Sequence, residues 1–348
     1  MANIALNKPA TASGYVAPFT PAKAVDGSTD PRNRWLCSVA PPPAGSVPPS
    51  WLCVDLGAPY WVNRWVVAQM GGAGWQPEQN YDMVDYKLQG SQDNAAWFDM
   101  DSVINNSSSR TDRTCAGRLA RYVRVYITKG LRSNPSFSSI TDLQLYEAAN
   151  APYLANLVPT IGALSPGFNQ KLFAYTVTVD NGVQAIRFTP TALQANMIVK
   201  VKGAVVPSGQ QSGDISLNPG DNGVPITVTS ADNSMTATYT VNVVRAALSA
   251  TLKTLDVKNN SGQAVALNPA FQPTTMSYAA SVLSGVSYVR VTPNSELSGV
   301  AITVNGVSVP NNTQSAPIAM NPGSNTISIV VTAGGYSPGT YTITVTKG

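Results

Sequence analysis

Three stretches hold the residue types that surface chemistry uses. The first, A-V-D-G-S-T-D-P-R-N-R-W-L-C at 24–37, sets Asp26 and Asp30 among the turn formers Gly27, Ser28, Pro31 and Asn33, directly before Trp35. Backbone carbonyls in such a loop stay free where a strand would tie them up, so three readings stand: a metal seat, a ligand-binding rim or a plain surface turn. The second, G-G-A-G-W-Q-P-E-Q-N-Y-D at 71–82, carries Trp75, Gln79, Asn80 and Tyr81, and the third, K-G-L-R-S-N-P-S-F-S-S at 129–139, carries Arg132, Asn134 and Phe137. Sugar recognition needs this pairing, an aromatic face against C–H groups and fixed donors or acceptors for hydroxyls. Tyr15 and Phe19, after the first strand, extend the same rim. The competing reading is that Trp75 and Phe137 simply cap the end of a sandwich.

What the chain lacks is as informative. Its 348 residues include no histidine, which removes Ser-His-Asp and Cys-His nucleophile activation, imidazole zinc sites and the usual near-neutral proton shuttle together. Asp99 and Asp101, two residues apart on a strand, are expected on one face, but nothing around them marks a cleft for a glycosidase pair. The expectation is therefore a protein that is not an enzyme. Cys37, Cys53 and Cys115 all lie in the first third. The shared W-L-C context of Cys37 and Cys53 suggests like depth on neighbouring strands and admits a bridge between them, and three buried thiols are the alternative.

Hydrophobic residues make up 43% and charged residues 11% of the chain, enough apolar material for packed cores, and the length calls for two or three domains. The net charge of +4 comes from scattered residues without a Lys/Arg run, so nucleic acid is not an expected partner. No segment reaches the roughly 20 apolar residues of a membrane span, so membrane insertion is not expected. The start, M-A-N-I-A-L-N, has no charged region followed by an apolar one. It reads either as a chain trimmed of its export signal or as one exported by another route or assembled inside a cell.

Period-two alternation bounded by Gly, Pro, Asn and Ser recurs throughout, as in Y-T-V-T-V (175–179), P-I-T-V-T-S (225–230), Y-T-V-N-V-V (239–244), N-T-I-S-I-V-V-T (325–332) and T-Y-T-I-T-V-T (340–346). The fold class is all-β. In the first third, strands are predicted at 51–57, 62–70, 84–91, 120–127 and 140–147. In W-L-C-V-D-L-G, alternation turns Leu52, Val54 and Leu56 to one side and Trp51, Cys53 and Asp55 to the other, with an arginine or backbone donors required for Asp55. Leu217-Asn-Pro-Gly recurs as Met320-Asn-Pro-Gly, Thr189-Pro as Thr292-Pro, and Tyr239 as Tyr341, a duplication with an offset of about 103 residues. Boundaries near 150 and 247 divide the chain into 1–149, 150–246 and 247–348, joined by linkers short enough for a stiff rod.

Residues 150–348 resemble bacterial cadherin-like β-sandwich domains in their L-x-x-L openings, the N-P-G before the penultimate strand and the closing Y-T-V-N-V or Y-T-I-T-V strand. The resemblance implies spacers without catalytic residues. Residues 1–149 resemble discoidin, or coagulation factor type C, domains and family 32 carbohydrate-binding modules, through N-I-A-L-N-K-P-A-T-A-S (3–13), A-V-D-G (24–27), N-R-W (33–35), W-L-C-V-D-L-G (51–57), S-Q-D-N-A-A-W (91–97), A-R-Y-V-R-V (120–125) and I-T-D-L-Q-L-Y (140–146). That implies a jelly-roll sandwich whose end loops, here 71–82 and 129–139, hold a sugar. It also implies a structural calcium, held by carbonyls of Lys23 and Ser28, carboxylates of Asp26 and Asp142, and an oxygen of Asn33. Asp142 departs from the more usual glutamate. An Asx-turn around Asp26 is the metal-free alternative. Galactose-type members often use a histidine, which this chain lacks.

The expected function is non-catalytic glycan binding and adhesion: a discoidin-like tip on two rigid spacers, binding surface glycans or polysaccharide weakly per site and profiting from several copies or a larger particle. An extracellular or cell-surface location goes with it. The rival expectation is a structural or decoration subunit of a phage particle or contractile tail, on the virion surface. A third is an accessory fragment of a larger glycoside hydrolase.

Overall fold

The computed structural model describes residues 1–38, 49–73 and 81–348. In the leading third the strands are β1 (Ala10–Ala12), β2 (Trp35–Ser38), β3 (Ser50–Ala68), β4 (Met83–Ser91), β5 (Phe98–Val103), β6 (Arg110–Leu131), β7 (Phe137–Ile140) and β8 (Asp142–Glu147). One sheet runs in the order β1-β3-β6-β4-β5, β8 pairs the second half of β3, and β2 pairs β7. Pro59 reads as a break between two predicted strands, yet β3 runs through it. The register against β6 shifts between Asp55 and Tyr60, so an irregularity absorbs the proline, and beyond it β3 pairs β8 as well as β6.

The alternation works as read. Leu52, Val54 and Leu56 lie in the core with Val123, Val125 and Leu88, whereas Asp55 faces outward and takes a two-point ion pair from Arg121 at 2.9 Å on each arm. Cys37 and Cys53 are both buried, but they sit on strands that do not pair, and no bridge joins them. All three cysteines are free: Cys37 faces the core between the layers, and Cys53, on the opposite side of β3, is buried next to Asn94. They lie on opposite sides of one sheet, which no side-chain rotation bridges.

Residues 152–246 and 252–348 carry one architecture twice. Strand Ala174–Val179 runs parallel to Thr236–Arg245, which pairs Gly220–Thr229 and then Ile198–Val201. Ser277–Val282, Gly339–Lys347, Gly323–Thr332 and Ala301–Val304 repeat that order. The Asn-Pro-Gly motif has a visible task. Gly220 and Gly323 take φ of +83° and +87°, which a Cβ disfavours, and the Asn two residues on (Asn222, Asn325) accepts from the motif asparagine's N–H and donates to its carbonyl, both at 2.8 Å.

Each repeat also closes on a buried tyrosine. The Tyr239 hydroxyl donates to Gln170 O (2.7 Å) and accepts from Leu154 N (3.1 Å); Tyr341 does the same with Pro273 O (2.6 Å) and Leu252 N (2.9 Å). Tyr341→Phe strands the N–H of fully buried Leu252, and the expected cost is about 1–3 kcal/mol. Urea unfolding should show a lower midpoint at unchanged slope; an unmoved midpoint contradicts the assignment.

Candidate functional site

The described end of the first polar-aromatic stretch, Tyr81 and Asp82, meets the second stretch at the start of β4. β4 starts at Met83 opposite Leu131, near the end of β6, and the backbone N–H of Arg132 donates to the carbonyl of Asp82 at 3.0 Å. Asp82 and Met83 therefore lie directly beside Leu131 and Arg132. Trp75, Gln79 and Asn80 lie outside the described residues. Of the others, Tyr81 is half-buried beside Asp82, Arg132 is exposed with its guanidinium bonded to Asn106 O, and Asn134 Oδ1 accepts from Ser136 N at 3.1 Å. Phe137 is half-buried and packs on the core, so it acts as an anchor as much as a rim residue.

A third segment joins them that the loop reading missed. Asn106, buried, donates through Nδ2 to Met83 O (2.9 Å) and Ser108 O (2.8 Å), while its backbone binds Val84 O. Asp82, also buried, accepts from Ser109 Oγ (2.7 Å) and Gly71 N (3.2 Å); burial pushes its carboxyl above the usual range against the pull of those donors and of Arg132. Beneath them Gln69 accepts from Met83 N at 2.5 Å. The signal in the sequence was the run Asn105-Asn-Ser-Ser-Ser, a polar hairpin connection in which Asn105 takes a φ of +53°.

On the neighbouring loop, Val16 N donates to Leu36 O and Leu36 N to Phe19 O, which ties Tyr15 and Phe19 to β2 and through it to β7. Tyr15 is 57% exposed, a large ring left open to solvent. Phe19 instead lies under the Arg34 guanidinium, 4.0 Å from its ring centre.

The A-V-D-G loop follows a 3-10 turn, Pro21–Ala24, that packs against β8. Gly27 takes a φ of +81°, and Asp26 Oδ1 accepts from Ser28 N at 2.9 Å, the predicted Asx-turn. Asn33 Nδ2 donates to Asp26 Oδ2 at 2.6 Å. Asp142 is 0% exposed; Gln144 Nε2 reaches its Oδ2 at 2.6 Å, but Oδ1 is buried with no partner among the described residues. Burial raises its pKa above the carboxylate range, the nearby Asp26 charge adds to the rise, and Gln144 and Arg110 oppose it. A buried carboxylate oxygen without a donor, near a second carboxylate, is an arrangement a cation relieves. Among the described residues no three Asp, Glu, Cys or His side chains gather, so a cation here would rely on carbonyls for its remaining oxygens.

Asp99 and Asp101 do not share a face. A bulge pairs Gln89 with Asp99 but Leu88 with Asp101, turning Asp101 inward to Trp65 Nε1 (3.0 Å) and Arg113 (2.7 Å) while Asp99 takes Lys87 and Gln89, both at 2.7 Å. A groove of about 490 Å³ does run beside them, where no cleft was expected. Both carboxyls are held below their ordinary range, Asp99 by hydrogen bonds from Gln89 and Lys87, and Asp101 by those from Arg113 and Trp65 against its burial; neither is set up as an acid that donates near neutrality.

A family model for a cadherin-like beta sandwich domain matches residues 152–246 and 252–348, more than half of the chain. The chain belongs to the cadherin-like β-sandwich family. Ahead of its two cadherin-like domains, residues 23–125 match the model of a NedA-like, galactose-binding domain of the coagulation factor type C class, so the leading module is discoidin-like. Among solved structures, this module is similar to chitosan-binding module 1 from a chitosanase/glucanase of Paenibacillus sp. IK-5, at 30% identity over 42% of this chain and 99% of that one, with a TM-score of 0.34. Module 2 of the same enzyme, solved with chitotriose, is 25% identical over 41% of this chain and 99% of that one, TM-score 0.33. A putative membrane protein of Evansella cellulosilytica is 36% identical over 98 residues; the match spans 28% of this cadherin-like chain and 15% of that protein. No helix among the described residues is long and apolar enough to cross a membrane.

Proposed function

We propose that this protein is a non-catalytic glycan-binding adhesion protein that acts outside the cell, its discoidin-like module gripping a surface glycan or polysaccharide and its two cadherin-like domains serving as spacers. The observation that supports the reading most is the Arg132–Asp82 backbone bond, because it sets the 129–139 loop beside Tyr81 and Asp82, where the first polar-aromatic stretch ends, inside a module whose sequence matches a galactose-binding domain model. Asp82, Asn106 and Gln69 hold Met83 and Arg132 from below, which lowers the ordering cost of binding at that edge. Binding per site is weak, and several copies supply adhesion.

A calcium ion belongs to the same proposal. Asp142 and Asp26 would hold it with the carbonyls of Lys23 and Ser28, which accept no hydrogen bond among the described residues, and it would supply charge that buried Asp142 otherwise lacks. Asn33 now offers Asp26 its amide nitrogen, so as an oxygen ligand it would turn that amide over.

Trp75→Ala and Arg132→Ala test the rim. On a glycan array each should lower retention on whatever glycan the native chain selects by at least about tenfold, the loss of roughly 1.4 kcal/mol, at unchanged melting temperature. Native-like retention by both variants would place the binding elsewhere.

A further inference from the structure

The two cadherin-like repeats differ in how they treat the same open side of the sandwich. Residues 297–346 contain no Asp, Glu, Lys or Arg, whereas the matching stretch 194–243 holds Lys200, Lys202, Asp214, Asp221 and Asp232. In the first repeat a groove of about 350 Å³ on that side is lined by Lys202 and Asp214 among others, and Arg187 holds Asp214 at 2.5 and 3.0 Å. In the second repeat those two positions are Asn305 and Pro317, and Arg290, in the place of Arg187, donates to Ser315 O at 3.1 Å. The matching groove, about 250 Å³, is lined by Val307, Val309, Pro310, Pro317 and Ile318 among others, and Arg290 is not part of its lining. Val307 is 63% exposed.

This groove borders a sheet edge. Val307–Val309 is the last strand of its sheet and pairs Ala301–Val304 through the two-residue turn Asn305-Gly306, whose φ values are +49° and +82°. In such a hairpin the pairs Val304–Val307 and Ile302–Val309 make the ladder's hydrogen bonds, as the matching bond from Val206 N to Val199 O does at 2.9 Å in the first repeat. Ser308, opposite Thr303, therefore turns its N–H and C=O away from the sheet, to the open side. Charged side chains are a usual guard of such edges. The first repeat keeps them in Lys202 and the Arg187–Asp214 pair, and the second has replaced them.

Symmetry selects the occupant. Across a two-fold axis each surface meets itself, so a charge near the axis faces its like, whereas an uncharged surface is self-complementary as it stands. A surface built for a different partner gains from charges complementary to that partner, and 297–346 offers none. Two Ser308 residues set opposite each other form the hydrogen-bonded pair of an antiparallel ladder, each N–H donating to the other's C=O. That register puts Val307 of one copy opposite Val309 of the other, beside its groove.

We infer that the open edge of the C-terminal cadherin-like domain is a self-association surface, on which a second copy of this chain pairs its own Val307–Val309 strand antiparallel about Ser308. The contact supplies the several copies that adhesion calls for, and it rests on no glycan being bound. The test is sedimentation equilibrium of the full chain over a concentration series. The native chain should pass from monomer to dimer, and hydrogen exchange at the Ser308 amide should slow as the dimer forms. Added salt should leave the association unchanged or strengthen it, because the net charge of +4 opposes it. Asn305→Lys with Pro317→Asp installs the residues that the first repeat carries at these positions and gives Arg290 a carboxylate; the dimer dissociation constant should rise at least about tenfold at unchanged melting temperature. Val307→Lys, at an exposed position, should do the same while leaving the turn and the proline as they are. The inference is overturned if the native chain stays monomeric throughout, which would leave the groove to a foreign strand, if both variants associate as the native chain does, or if salt dissolves the dimer, which would assign it to ion pairs outside this surface.

Discussion

Asp142→Asn should make the protein more stable in chelator and deaf to calcium. The wild-type side chain is wholly buried, one carboxylate oxygen has no partner, and Asp26 adds like charge. An amide of the same shape removes the buried charge and can donate toward Asp26. The expected gain without metal is about 1–3 kcal/mol, or a melting temperature higher by about 2–4 °C per kcal/mol in a module of this size. In the wild type, calcium at a hundredfold excess over its dissociation constant should add about 2.7 kcal/mol; in the variant it should add none.

The pH dependence carries the same signature. A folded pKa raised above the unfolded value means that the native state binds the proton better. Stability is then highest below the unfolded carboxylate pKa and falls as pH rises through the folded one. Wild type in chelator should show that fall, Asp142→Asn should flatten it, and the part due to Asp82, whose pKa is also raised by burial, should remain. Differential scanning fluorimetry across pH, with EDTA and with calcium, reads all of this. A calcium response that survives in Asp142→Asn would remove that residue from the proposed seat, and a variant less stable in EDTA would contradict the account of the orphaned oxygen.

How far the sequence could be read follows from what alternation encodes. Period two states which side of a strand is apolar, so Leu52, Val54 and Leu56 fell inward and Asp55 met Arg121 as required. The Asn-Pro-Gly repeat states a local backbone demand, and Gly220 and Gly323 meet it in the same way. Alternation does not encode what covers a face or where a strand slips. The bulge at Leu88/Gln89 reverses Asp101, and the shift after Asp55 carries β3 past Pro59; both are register events with no marker in composition. Cys37 and Cys53 share a W-L-C context, but β2 belongs to the opposite layer from the first half of β3, a tertiary fact. The proposed rim rests on aromatic and amide residues that composition makes visible, whereas the buried Asp82, Asn106 and Gln69 look in sequence like ordinary turn polarity.

The junction between the leading module and the first cadherin-like domain was likewise invisible to pattern, and it carries a large expected effect. Trp61, on a strand of the first module, packs into the hydrophobic cluster of the second. Beside it Lys171 Nζ binds Glu147 at 2.9 Å and lies 3.2 Å from the Tyr60 ring centre and 5.1 Å from that of Tyr153, whose hydroxyl also donates to Glu147 at 2.8 Å. Burial lowers the Lys171 pKa, and Glu147 works against that, so the ammonium depends on its carboxylate. Glu147→Gln removes the counter-charge and leaves the ammonium only an amide oxygen and the ring faces, at a cost of about 1–3 kcal/mol, because the side chains at 16% and 27% exposure are only partly reached by water. Scanning calorimetry should show the first two modules, coupled in the wild type, melting in separate steps. Adding Lys171→Met, which replaces the stranded ammonium with a thioether that packs on the same rings, should recover most of the loss, and the cycle of single and double variants isolates the pair. The positions matching Lys171 and Tyr153 in the third module are Thr274 and Thr251, so this pair has no counterpart where the two cadherin-like domains join. A Glu147→Gln protein that still melts as one unit would show that the apolar contact of Trp61 alone couples the modules, and would reduce the ion pair to a bystander.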